Sequence, residues 1–255
     1  MQQPFSMCKI LNSKRGNKMD LNEFLKDADM VLVGVGEAFQ DRFENIKVAD
    51  GKNISIFDEY ARSKYLNSGV EDEVMESYKK LEKLLEEKNY FVITLCTDDK
   101  IFKTNINPER IVAPCGSYSL LQCEEVCSED IYPLEMYEAT LEKGEEPVCP
   151  KCGKHLVMNH IGAKKYSEEG YLKKWNLYMK WLQGSLNKKL CIIELGVGMK
   201  YPTVIRWPFE KVTFINNKAK FVRVHEQLYQ LTEDIKEKGI SVMENPVNFL
   251  RNQIV

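Results

Sequence analysis

The sequence predicts an α/β fold: a parallel sheet covered by helices on both faces, with a small metal-binding unit set into it. Three observations predict this. Apolar runs alternate with amphipathic stretches along the chain, as strand–helix–strand units do. The runs YFVITLC and KLCIIELGVG are apolar without alternation, as strands buried on both faces are. Four cysteines fall as two close pairs, at 123 and 127 and at 149 and 152.

The first 26 residues are polar and read as loosely ordered up to a helix around DLNEFLKDA. DMVLVGVGEAF then reads as a buried strand at 30–34 running into a glycine turn, and residues 47–70 read as irregular. EDEVMESYKKLEKLLEEK places Val74, Tyr78, Leu81 and Leu85 on one stripe with charges opposite, an amphipathic helix. A strand at 90–96 follows, then a third in RIVAP. Residues 119–160 form the cysteine-bearing unit. In YLKKWNLYMKWLQG, Tyr171, Trp175, Tyr178 and Leu182 recur at helix spacing, and aromatics so spaced, Trp175 and Trp181 included, are expected in the core. KLCIIELGVG, KFVRVH and ISVM read as three more strands. Asn245 as N-cap with Pro246 at the first helical position then starts a terminal helix.

The chain has 255 residues, 44% of them apolar and 29% charged, which is ordinary globular composition. No run approaches the roughly 20 apolar residues of a membrane span. The N-terminus lacks the apolar core of a signal peptide, so a cytoplasmic address is expected. A net charge of -2 supplies no basic excess to neutralise phosphates, which argues against nucleic acid. Eight unevenly spread cysteines in a reducing compartment point to metal or reactive thiols before disulfides.

Cys123-x-x-x-Cys127, 21 residues, then Cys149-Pro-Lys-Cys152-Gly153 is the strongest motif. Tetrahedral zinc takes four such sulfurs at about 2.3 Å, and four thiolates leave no open position, so a zinc here is structural. His155 is a substitute ligand on spacing but reads better as a solvated loop residue. From Glu124 to Glu146 the chain carries nine carboxylates and one lysine. That reads as a solvated surface rather than a docking face for a basic partner.

Three strand ends carry suggestive residues: Gly34 and Gly36, Cys96 to Asp98, and Gly196 and Gly198. Parallel sheets bind ligands at the carboxyl ends of their strands, so a ligand cleft is expected there. A glycine turn entering a helix offers free N–H donors to a pyrophosphate. Glu37 opposes that reading, because a carboxylate beside a pyrophosphate costs binding energy unless it turns outward.

CGSY followed by LQC, the four-cysteine unit, ELGVG, RWPFE and the RVH strand together resemble the sirtuin family, over roughly residues 28–254. Within it the likeness is nearest to the bacterial branch whose genes accompany macrodomains and lipoylation machinery. The resemblance implies a Rossmann-like large domain (28–118 and 161–255) after an N-terminal segment (1–27), a small zinc module (119–160), and NAD in the cleft between them. Typical members remove acyl groups from lysine with NAD; the macrodomain-linked branch is associated with ADP-ribosyl transfer to a lipoyl-carrier protein. The resemblance puts Gly34 and Gly36 on the phosphate-binding glycines, and Thr94 and Asp98 on the strand-end motif whose aspartate holds the nicotinamide ribose. It puts Gly196 and Gly198 on the second glycine pair, and His225 near the adenine ribose, where an asparagine is usual. Cys123, Cys127, Cys149 and Cys152 match the zinc ligands.

The departures bear on chemistry. Cys96 stands in place of the family's asparagine and Cys115 in place of its general base. Leu95 replaces a polar residue and Ala38 a serine, and the cofactor loop after Gly36 is cut short, the chain running directly to FQDRFENI. Cys96, Cys115 and Asp98 are therefore the candidate catalytic residues. Cys115 has three readings: a buried inert thiol, a nucleophile or base, or half of a redox pair with Cys96. The expected function is a sirtuin-like zinc protein that binds NAD or ADP-ribose, with ADP-ribosyltransferase or deacylase activity weakened or lost. The alternative is a catalytically inactive nucleotide sensor or protein-binding scaffold. The discriminating observation is whether the space beside Gly34, Gly36 and Gly198 is open or plugged by Glu37, Phe39 or Tyr201.

Overall fold

A computed structural model describes residues 10–11, 19–40, 54–69 and 72–254. In chain order the elements are β1 (Ile10–Leu11), α1 (Leu21–Leu25), β2 (Met30–Val35), α2 (Ile56–Asn67), α3 (Glu73–Leu85), β3 (Tyr90–Thr94) and β4 (Ile111–Val112). Then come β5 (Gly116–Cys123), β6 (Ile131–Pro133), α4 (Glu138–Glu142), β7 (Leu156–His160) and α5 (Glu169–Gln183). The chain closes with β8 (Leu190–Leu195), α6 (Arg206–Ile215), β9 (Lys220–Val224), β10 (Gly239–Val242) and α7 (Pro246–Arg251).

Seven strands form one sheet in the order β1-β10-β9-β8-β2-β3-β4, and every pairing in it is parallel. The alternation of side chains in β2 divides its burial between two layers. Val31, Val33 and Val35 face α1, α3 and α7 through Phe24, Tyr78, Leu81 and Phe249. Met30 and Leu32 face α5 and α6 through Tyr178 and Phe209. This is why these strands read as continuous apolar runs. Trp175 and Trp181 pack, partly buried, against the second layer.

β2 leads through β3 to β4 on one side, whereas β8 leads through β9 to β10 on the other. The order reverses between β2 and β8, the switch point at which sheets of this kind take ligands.

A second, antiparallel sheet, β6-β5-β7, carries the cysteines. Its core includes Leu121, Leu134, Leu141, Leu156 and Met158, with Tyr60 and Leu66 of α2. The stretch expected to be irregular is thus partly a helix docked on this sheet. Its signal was present: Ser55 and Asp58 form a capping box, each side chain bonding the other's backbone N–H. Only Tyr60, Ser63 and Leu66 are buried along it, too narrow a stripe to show as periodicity. RIVAP yields only two strand residues before Pro114, which has no N–H to continue a ladder. α6, absent from the sequence reading, holds Pro208 in its first turn, where a missing N–H costs nothing. Asn245 caps α7 as expected, its Oδ1 accepting from the N–H groups of Val247 and Asn248. Residues 41–53, where the shortened cofactor loop falls, lie outside the described residues.

Candidate ligand cleft and metal centre

At the switch point the ends of β2 and β8 touch backbone to backbone. The Gly36 N–H donates to Leu195 O at 2.8 Å, and a Cβ at residue 36 would stand 2.2 Å from Gly196 O. Only glycine fits there. A Cβ on Gly34 would lie 2.5 Å from Ile205 Cγ2 and 2.7 Å from Phe209 Cε2, so α6 packs directly on that residue. Gly196 has φ of 62°, the left-handed region that glycine enters without strain.

Glu37 turns inward. Its Oε2 accepts from the Gly198 N–H at 2.8 Å, while its Oε1 is buried with no hydrogen-bond partner. A carboxylate therefore caps the N–H group that the second glycine pair would offer to a phosphate. The plug expected as one alternative exists, and Glu37 forms it.

The next strand end is equally closed. The Cys96 N–H donates to Thr94 Oγ1 at 3.0 Å, and the Cys96 thiol donates to Gly36 O at 3.4 Å while lying 3.9 Å from the Tyr78 hydroxyl. Burial, with the nearby Asp98 charge, pushes the Cys96 thiol well above its ordinary range. Asp98 is fully buried, its Oδ1 accepting from the Lys100 N–H at 3.2 Å. Cys115 is 1% exposed, and burial together with Glu37 pushes its thiol up to about 12. Cys96 packs in the first core layer and Cys115 in the second. All seven cysteines among the described residues are free of disulfides.

His225 Nδ1 accepts from the N–H groups of Gln227 and Leu228, both at 3.0 Å. Burial lowers its pKa, favouring neutral imidazole. Beneath it lies a buried ion cluster. Arg223 grips both Glu194 oxygens, at 2.6 and 3.0 Å, and reaches Glu210 at 2.7 Å. Arg206 donates to Val197 O at 2.8 Å and Leu228 O at 2.6 Å, tying the glycine loop after β8 to the turn after β9. These arginines were not singled out in the sequence. For Arg223 and Glu194 the signal is a charge inside an otherwise apolar strand, as in KFVRV and CIIEL, whereas Arg206 opens α6 and carries no such signal.

The four clustered cysteines converge. Their sulfurs all lie within 4.8 Å of one another, with Cys123 to Cys152 at 3.5 Å and Cys127 to Cys149 at 3.6 Å. A tetrahedron of about 2.3 Å zinc–sulfur bonds has edges of about 3.8 Å, so the set fits zinc. Val126 and Gly153 take φ of 50° and 72°, which turns the chain sharply at each cysteine pair. Burial pushes the Cys149 thiol up, but the Cys152 and Lys151 N–H groups outweigh it and hold the thiol near 6. His155 stays outside the set, exposed and 2.9 Å from Glu146. Of the nine carboxylates, Glu125, Asp130 and Glu142 pair with Lys165, Lys151 and Lys64, and Glu146 with His155. That partial internal pairing weakens the docking-face reading.

No family model matches the chain. It is similar to a protein ADP-ribosyltransferase of Staphylococcus aureus, 22% identical over 279 residues, covering 94% of this chain and 88% of the relative. A second relative is named "Probable bifunctional ADP-ribose hydrolase/ADP-ribosyltransferase", from Fusarium oxysporum f. sp. cubense. It is 29% identical over 143 residues, covering 49% of this chain and 24% of its own length. Among solved structures, one from work on sirtuin substrate affinity aligns over 91% of this chain and 97% of its own, with a TM-score of 0.56 at 18% identity. Sir2Tm bound to a propionylated peptide aligns over 91% and 96%, with a TM-score of 0.53 at 19% identity.

This chain has the sirtuin fold.

On that fold the strand-end candidates Gly34, Gly36, Thr94, Asp98, Gly196 and Gly198 stand at the carboxyl ends of β2, β3 and β8, and His225 directly follows β9. Two side chains near these strand ends were not read from the sequence as contributors: Arg206, which donates to Val197 O, and Tyr78, which lies against Cys96. Glu37 was noticed, but its direction was not legible.

Proposed function

We propose that this protein binds NAD or ADP-ribose in the crevice between the ends of β2 and β8, holds a structural zinc on Cys123, Cys127, Cys149 and Cys152, and has weakened or lost acyl-lysine and ADP-ribosyl chemistry. The strand-end position of Gly36, Asp98, Gly198 and His225 supports nucleotide binding, as does likeness to a relative named a protein ADP-ribosyltransferase. When bound, NAD supplies a glycosidic bond whose cleavage releases nicotinamide. The residues here would line its phosphates and riboses, provided Glu37 leaves the Gly198 N–H.

The single observation that carries the loss is Cys115. A general base works when its pKa lies near the working pH. A thiol near 12 is ionised at pH 7 in on the order of one molecule in a hundred thousand. A neutral thiol is a poor proton acceptor, and burial pushes the Cys96 thiol up as well. The resemblance points to a lipoyl-carrier protein as the macromolecular partner, and the eight thiols suit a reducing cytoplasmic setting.

Calorimetry with NAD and with ADP-ribose, followed by a nicotinamide-release assay with and without a lipoylated carrier domain, tests this reading. Binding without release is expected. Nicotinamide release abolished by Cys115→Ser would overturn the claim of lost chemistry. Absence of binding by wild type and by a variant lacking the Glu37 carboxylate would overturn the nucleotide site itself.

A further inference from the structure

The outer surface of α6 is apolar. Trp207, Phe214 and Ile215 stand more than half exposed, as does Leu186 in the turn after α5. A surface helix ordinarily turns its apolar stripe inward, which α6 also does with Phe209. Asn216 Nδ2 donates to Ser185 O at 3.0 Å and to Lys188 O at 3.1 Å, holding the Leu186 turn against the end of α6. Leu186, Phe214 and Ile215 therefore lie on one patch, and contiguous exposed patches mark contacts where scattered single residues do not.

The rim of this patch is cationic. Residues 171–220 carry ten Lys and Arg against two carboxylates, Glu194 and Glu210. Arg223 takes both, so the exposed Lys180, Lys188, Lys211 and Lys218 have no free carboxylate of that stretch to pair with. The connection from β9 to β10 carries Glu226, Glu233, Asp234 and Glu237, of which Glu233 pairs with Lys236. The group it brings to the patch is a cation, Lys238, whose Nζ donates to Phe214 O at 2.9 Å.

The opposite charge stands on the cysteine-bearing unit. Ion pairs within the chain take Glu125, Asp130, Glu142 and Glu146. Glu129, Glu135 and Glu145 are exposed and form no ion pair among the described residues. Two apolar side chains stand out among them, Met136 at 67% and Val148 at 53% exposure. This stretch thus resembles the α5–α6 face with the sign of its charge reversed.

We propose that the α5–α6 face docks the 129–148 stretch of a second copy of this chain, head to tail. Met136 and Val148 of one copy cover Leu186, Phe214 and Ile215 of the next, and the lysine rim faces Glu129, Glu135 and Glu145. Two α5–α6 faces paired about a two-fold axis would set lysine against lysine, which like-charge repulsion opposes. A head-to-tail contact leaves one face of each kind open at the ends, so copies add until a ring closes. The contact is independent of what the crevice binds.

The test is the oligomeric state of the full chain by sedimentation velocity. At about 0.05 M salt, species larger than the monomer are expected to grow with protein concentration. At about 0.5 M salt, where screening shortens the reach of exposed charges, the monomer is expected to return. One variant reverses the basic face (Lys188→Glu, Lys211→Glu, Lys218→Glu) and another the acidic stretch (Glu129→Lys, Glu135→Lys, Glu145→Lys). Each alone is expected to stay monomeric. An equal mixture is expected to form a 1:1 pair that grows no further, because the first variant keeps its acidic stretch and the second its basic face. Phe214→Ser with Ile215→Ser is expected to weaken wild-type association by roughly tenfold or more, as loss of a central apolar anchor does. If a charge-reversed variant does not fold, as read by circular dichroism, this apolar variant and the salt series decide. A wild-type chain that is monomeric at low salt, or a mixture of folded variants that stays monomeric, would overturn the proposal. So would a monomer that cosediments with phosphatidylserine vesicles through the same lysines, which would make the face a membrane contact.

Discussion

The four-cysteine site and the strand-end crevice are built in opposite ways. The cysteines lie within one short stretch of chain, and sharp turns at Val126 and Gly153 aim them at a common point. The crevice draws on residues from Gly34 to His225, brought together only because β2 and β8 are neighbours. A local site keeps its chemistry so long as its few residues stay. A site assembled from distant strands can keep its glycines and lose its function by one side chain turning inward. Here the cysteine set is complete, whereas Glu37 covers the Gly198 N–H and the Cys96 and Cys115 thiols are buried.

The largest expected effect tests the local side. Chelation of zinc, or Cys149→Ser, is expected to cost several kcal/mol, on the order of what structural zinc contributes to small folds. One zinc per chain by elemental analysis and a lower melting temperature after chelation are the readouts; an unchanged melting curve would dissolve the contrast. Next comes the buried ion cluster on β8 and β9. Arg223→Met leaves Glu194 buried without its bidentate partner, and should cost about 3–5 kcal/mol in denaturant unfolding. A loss under about 1 kcal/mol would show that the ion cluster is well hydrated, as surface pairs are.

Glu37→Ala frees the Gly198 N–H and removes a negative charge. ADP-ribose affinity measured by calorimetry should rise by about 10- to 100-fold, the worth of one hydrogen bond to a charged group. Equal affinity in the two proteins would mean the carboxylate swings away without cost. The smallest effect is expected at Cys115→Ser, which replaces a thiol already neutral at pH 7. ADP-ribose affinity should stay within about twofold and stability within about 2 kcal/mol, the latter set by burying a hydroxyl. A large affinity loss would place the sulfur against the ligand.

The strands β2, β3, β8 and β9 were legible because burial on both faces calls for mainly apolar residues, and α3 because one face alone is buried. The Asn245–Pro246 start of α7 and the two cysteine pairs were legible because each is a matter of neighbouring residues. α2 was missed because its buried stripe is three residues wide and one of them is Ser63, although Ser55 and Asp58 announced its start. Arg223 and Glu194, charges within apolar strands, and Arg206 at the start of α6 were passed over because each has meaning only when its partner elsewhere in the chain is known.

The amino-acid order alone determined the alternating strands and helices, the caps and the zinc-type cysteine spacing, since each depends on interactions among residues a few positions apart. Tertiary structure alone decided that α2 rests on the small sheet, that Gly34 packs on α6 and that Glu37 points at Gly198. It also decided that Cys115 is dry enough to keep its proton. Desolvation and directed hydrogen bonds depend on what surrounds an atom, and only the folded chain supplies those surroundings.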